Sequence, residues 1–183
     1  MGIVVDNIYN GLWHPRIKFF FRDEHFGYND LRHQIIKGKL NPGQYKVLVL
    51  LIGRSDFKAH DRSFISTLRD FVGFLIREFP TLYILVGTPV VYVSDSSNFR
   101  RRCLGLYECV AEMCRVETHR GRLEPIGIVF ALMKGVTEEG NDKVSKHGLT
   151  DEGKRVFLDR LWSKISSCRA FDRQAVLHDL HSL

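Results

Sequence analysis

The chain has 183 residues, 44% of them hydrophobic and 26% charged, with only 15 Gly and 5 Pro. That composition excludes collagen-like, coiled-coil and low-complexity classes and fits one globular domain whose core closes without disulfides or metals. The net charge of +6, from 27 Lys and Arg against 21 Asp and Glu, allows contact with nucleic acid or an acidic surface without demanding either.

In chain order, strand and helix signals alternate. Ile3–Val5 is a short β-branched run, and Ile17–Phe21 is a second candidate strand. Tyr28–Lys37 carries Leu31, Ile35 and Ile36 at helical spacing. Lys46–Ile52 is a continuous apolar run, the pattern of a strand buried on both faces. Asp61 is placed to cap a helix whose apolar face is Phe64, Ile65, Leu68, Phe71, Val72, Leu75 and Phe79, ended by Pro80. Leu82–Val86 is the fourth strand. Phe99, Cys103, Leu106, Val110 and Met113 mark the next helix, and Ile126–Leu132 the last strand. Lys134 to Gly148 reads as a polar loop. Thr150 then caps a closing helix with Asp151 and Glu152 in its first turn and Val156, Phe157, Leu161 and Ile165 on its buried face.

Five strands separated by helices predict a parallel sheet covered on both sides, a doubly wound three-layer α/β/α sandwich with flavodoxin-like order 2-1-3-4-5. One domain spans residues 1–171, and 172–183 is a tail. The crevice of such a sheet lies at the carboxyl ends of its strands. Four segments fall there: Asp6-Asn7-Ile8, Phe26-Gly27-Tyr28-Asn29, Gly53-Arg54-Ser55-Asp56, and the late His147-Gly148-Leu149-Thr150.

This order of segments resembles the SGNH (GDSL-like) hydrolase family, over roughly residues 3–166. The family carries Gly-Asp-Ser after strand 1, with Ser as nucleophile, and a Gly after strand 2. After strand 3 it carries Gly-x-Asn-Asp, whose Gly N–H and Asn side chain help form the oxyanion hole. It ends on Asp-x-x-His, the base and its orienting acid. Asp6, Gly27, Gly53, Asp56 and His147 match. Val5 stands at the first Gly, Asn7 at the nucleophile, Ser55 at the Asn, and Val144 at the Asp; Asp142 lies five residues before His147. An amide has no ionisable group with which to attack a carbonyl, and acyl transfer needs nucleophile, base and oxyanion donors together. The resemblance therefore implies a degenerate, non-catalytic domain of this fold, serving as a binding or assembly module and akin to those of some retroelement proteins. Asp6, Asn7, Gly27, Gly53, Arg54, Ser55, Asp56 and His147 would form its ancestral pocket, and Tyr9, Trp13 and Tyr28 are bulky side chains available to fill it. The competing reading is an esterase or lipase-type hydrolase with a rearranged site, Ser55 as nucleophile and His147 as base.

A third reading is RNA or DNA binding through Arg100, Arg101 and Arg102, with Arg115, Arg120 and Arg122 near the far end of the same helix. Solvated faces and helix ends use such residues too. The Val93–Asn98 segment is ordinary turn and cap chemistry. No nucleotide-binding glycine motif is present, and the only metal-like spacing is His178 and His181, so no cofactor and no metal are expected. Cys103, Cys109, Cys114 and Cys168 form no CxxC pair and read as buried thiols in a reducing, intracellular setting, cytoplasmic or nuclear. No run reaches the ~18 apolar residues of a membrane span, and the first residues carry charge where a secretory leader needs an apolar stretch. The chain starts almost directly in a strand, as a domain excised from a longer protein does. A protein partner is expected, and an apolar tail leaves a homodimer open.

Overall fold

The computed structural model describes residues 1–6, 15, 17–22, 25–59, 62–88, 96–116, 122–125, 144–145, 148–149 and 151–167. Five strands, β1 (Gly2–Asp6), β2 (Lys18–Arg22), β3 (Val47–Leu51), β4 (Tyr83–Val86) and β5 (Leu123–Pro125), form one sheet in the order β2-β1-β3-β4-β5. Every pairing in it is parallel. Ile3 faces Phe19 on one side and Val49 on the other, and Leu48 faces Ile84. β3 sits at the centre with all five residues buried, which is why its sequence shows no alternation.

Parallel neighbours need crossovers, and the helices supply them. α1 (Tyr28–Ile36) joins β2 to β3; α2 (Arg54–Ala59) and α3 (Phe64–Glu78) join β3 to β4; α4 (Ser97–Val116) lies between β4 and β5. α3 packs against both α1 and α4. Its Phe64, Leu68, Phe71, Val72 and Leu75 recur at steps of three and four and are all buried. They meet Val4, Leu48, Leu50, Ile84 and Val86, the alternate sheet residues of one parity, together with Leu31 and Ile35 of α1 and Phe99, Cys103, Leu106 and Val110 of α4. The opposite parity, Ile3, Val49, Leu51 and Leu85, is fully buried as well, so both faces of the sheet are covered. α5 (Asp151–Ser167) contributes Phe157 and Leu161, both fully buried and outside the first cluster.

Several expectations shift. The segment Gly53-Arg54-Ser55-Asp56, read as a loop after the third strand, instead runs into α2, a helix too short to show an apolar period. The cap of α3 is Ser63, the residue immediately before Phe64, and Asp61 lies outside the described residues. The fifth strand is Leu123–Pro125; the apolar run 126–132 lies outside the described residues. Pro125 is tolerated because β5 is an edge strand, and Glu124 receives a hydrogen bond from the Tyr83 hydroxyl of β4. Within the expected loop, β6 (Val144–Ser145) and β7 (Gly148–Leu149) pair as a small antiparallel ribbon. Cys103 and Cys114 are buried thiols outside any disulfide, but Cys109 is exposed, because four residues beyond Gly105 it stays on the outer side of α4; Cys168 lies outside the described residues. Among the described residues no helix is long and apolar enough to cross a membrane. The tail 172–183 lies outside them.

Candidate functional site

The carboxyl ends of β1, β2 and β3 and the helix starts that follow them hold six described candidates: Asp6, Gly27, Gly53, Arg54, Ser55 and Asp56. Asp6 closes β1 in register with Arg22. Asn7, Asp142 and His147 lie outside the described residues; Val144 belongs to β6, where it pairs with Leu149.

Gly53 leaves β3 with φ of +106°, a backbone that side chains rarely adopt. A Cβ there would also lie 2.7 Å from the Tyr28 ring. The two residues are complementary. Tyr28 is fully buried, its ring 5.4 Å from that of Phe71 and 5.9 Å from that of Phe64, and its hydroxyl donates to the Ile52 carbonyl at 3.0 Å. The turn after β3 is thus shaped around an aromatic side chain from the first residue of α1. Burial, then the charge of Asp56, then Cys114, push the Tyr28 phenol well above its ordinary range. It stays protonated and acts as a hydrogen-bond donor rather than as an acid or base.

Gly27 is the N-cap of α1, and its N–H donates to the Asp30 carboxylate at 2.9 Å, the reciprocal contact of a capping box. The next N–H, that of Tyr28, donates to Asp56 Oδ2 at 3.0 Å across 28 residues of sequence. A Cβ at Gly27 would sit 2.7 Å from the same Asp56 carboxylate, so glycine is needed for this approach. Asp56 therefore ties the β3–α2 turn to the start of α1. Two carboxylates occupy two successive backbone donors at the carboxyl edge of the sheet.

Arg54 is only 2% exposed, and its guanidinium lies 4.8 Å over the Phe99 ring of α4. A buried cation is costly, and the aromatic face offsets part of that cost. Arg102 of α4 lies in turn 5.1 Å over Phe57 of α2. Phe57 is 5.6 Å from Phe99 and 5.4 Å from Phe64. A run Arg54–Phe99–Phe57–Arg102, with Phe64 against Phe57, thus joins α2, α3 and α4. Ser55 is half-buried in the first turn of α2, one residue from each of Arg54 and Asp56.

The basic candidates separate. Arg101 and Arg102 are exposed near the start of α4. Arg115 is in its last turn, about 20 Å further along the axis, and forms a bidentate pair with Glu112 at 2.8 and 2.6 Å. Arg122 is half-buried beside β5 with Nη1 enclosed. Arg120 and the Arg100 side chain lie outside the described residues. Among the described residues no three His, Cys, Asp or Glu gather as metal ligands.

Sequence reasoning located the glycines and Asp56 but missed Asp30. Its signal was present: an acid three residues after a helix-starting Gly is capping-box spacing. The partnership of Tyr28 with Gly53 and Ile52 had no signal short of the fold itself.

No protein-family model and no curated protein sequence matches the chain. Solved structures do. A Streptococcus pneumonia protein assigned as a platelet activating factor superposes with a TM-score of 0.68 at 12% identity, covering 88% of this chain and 81% of that one. An acetyl xylan esterase, AlAXEase, gives 0.60 at 14% identity, covering 89% and 98%. A lipase/acylhydrolase from Enterococcus faecalis gives 0.59 at 16% identity, covering 90% and 94%. At such identities the likeness is one of fold, a five-stranded parallel α/β sandwich shared with these esterase and lipase structures.

Proposed function

We propose that this chain is a hydrolase-fold domain that does not perform acyl transfer and works as a binding or assembly module. One observation carries the reading: the successive N–H groups of Gly27 and Tyr28 are held by the carboxylates of Asp30 and Asp56. Ester cleavage builds negative charge on the carbonyl oxygen, and catalysis requires donors aimed at it. Here two donors at that edge are already bonded to anions, and each anion would repel the developing charge. Asn7 at the nucleophile position supports the same conclusion from the chemistry of the amide, as does Ser55 where the fold's relatives carry a donor Asn.

The competing reading, a hydrolase built on Ser55 with His147 as base, has in its favour that Ser55 is half-buried rather than sealed and sits just past the carboxyl end of β3. Labelling with a fluorophosphonate, which reacts with activated serines, separates the two. The expected result is no labelling of the chain as it stands. Labelling abolished by Ser55→Ala and by His147→Ala would establish the hydrolase instead.

A further inference from the structure

All five strands begin at the edge of the sheet opposite Gly27 and Gly53, and α1, α3 and α4 end there. α1 closes tightly: the Gly38 N–H donates to the Ile35 carbonyl and the Lys39 N–H to the Gln34 carbonyl, each at 2.9 Å. That closure leaves Ile36 65% exposed, with Lys37 and Lys39 exposed beside it. Further along the same connection the Tyr45 ring lies against Gly2 of β1 and 5.9 Å from the Phe20 ring of β2. Lys46 follows Tyr45, and Lys18 stands opposite Gly2 in register; both are exposed. Gly2 also pairs with Leu48, so Lys18 and Lys46 share the parity of Phe20 and Leu48 and hence the face of the sheet that α1 covers. A right-handed crossover from β2 to β3 carries α1 over β1, the strand between them. Two lysines from the end of α1 and two from the strand starts thus border one surface, with Tyr45 inside it. From Leu31 to Ser55 the sequence holds no Asp or Glu, so the segment that builds this surface offers its lysines no acid.

We infer that this edge rests on the anionic surface of a phospholipid bilayer. The inference goes beyond the reading of the carboxyl edge and does not depend on it. Lysines act as point charges toward a diffuse field, whereas binding to individual phosphates favours the arginine fork. The nearest arginine on α1, Arg32, is turned to the Phe74 ring of α3 at 4.9 Å. Ile36 separates a bilayer from a nucleic acid. An aliphatic side chain exposed among lysines gains by entering the acyl boundary and gains nothing from a phosphate backbone. Val116, the other large hydrophobic exposed among the described residues, is the last residue of α4, which ends at this same edge. Among the described residues no helix is long and apolar enough to cross a membrane, so the contact is peripheral.

The test is co-sedimentation of the whole chain with vesicles of phosphatidylcholine containing about 30% phosphatidylserine, against vesicles of phosphatidylcholine alone. Binding is expected to the first and not to the second, and it should weaken as salt rises. Lys18→Gln, Lys37→Gln, Lys39→Gln and Lys46→Gln should each weaken it by about fivefold, and Ile36→Ser by about tenfold. Lys58→Gln, on α2 at the opposite edge, should change nothing. These side chains are exposed, and an unchanged urea midpoint verifies that each variant is folded. Equal binding to both vesicles, no binding at low salt, full affinity in Ile36→Ser, or equal weakening by Lys58→Gln would overturn the inference. So would a chain that ignores vesicles but binds a uridine oligomer through the same lysines. None of these results bears on the carboxyl edge, which fluorophosphonate labelling tests separately.

Discussion

Two helices begin at the same edge of the sheet and are treated in opposite ways. α1 opens with its first backbone donors closed by Asp30 and Asp56 and its first side chain, Tyr28, buried beneath Gly53. α4 opens without an acid in its first turn and presents Arg101 and Arg102 to solvent. At α1 the polar residues are consumed in joining one turn to another. At α4 a side-chain cap, Ser96 Oγ accepting from Phe99 N at 3.2 Å, accompanies the start, and the charged residues face outward. The α1 end of the edge is a structural clasp, while the α4 end carries exposed charge.

The clasp breaks most severely at its tightest contact. Gly53→Ala introduces a Cβ at a positive φ and drives it into the Tyr28 ring. The strain and overpacking should together cost about 3–5 kcal/mol, read as a lower urea midpoint. Alkaline pH attacks the same region. Burial, then Glu124, push the Cys114 thiol from 9.0 to about 12, and Tyr28 is raised as well. Both groups are held protonated in the fold and released on unfolding. Between about pH 9 and 12 the native chain therefore binds more protons than the unfolded one, and stability falls as pH rises through that window. Below pH 9 neither contributes a slope. Tyr28→Phe should lose about 1–2 kcal/mol at neutral pH, from the bond to Ile52, and should flatten the alkaline fall. Asp30→Ala should cost about 1 kcal/mol, an ordinary loss of a helix-start acceptor. If Asp30→Ala also produced ester turnover, the closed donor would prove to be the main obstacle to catalysis.

The fold was legible because burial of a parallel sheet leaves plain marks. The run Val47–Leu51 and the steps of three and four in α3 place those elements to within about a residue, and alternation of strand and helix yields the sheet order. β5 was not legible, since three residues ending in Pro125 carry too little pattern beside the apolar run that follows. α2 failed for the same reason of length. The site was half legible. Gly27, Gly53 and Asp56 announce themselves as loop residues at strand ends. That Asp56 bonds Tyr28 N–H is a contact across 28 residues, set by how two turns meet in space and not by local sequence.

The most direct test of the central claim is hydrolysis of p-nitrophenyl acetate by the chain and by Asn7→Ser. If the donors at this edge are closed by Asp30 and Asp56, neither protein turns over ester above the uncatalysed rate. Turnover by either protein that is lost on His147→Ala would contradict the account and show a working hydrolase site.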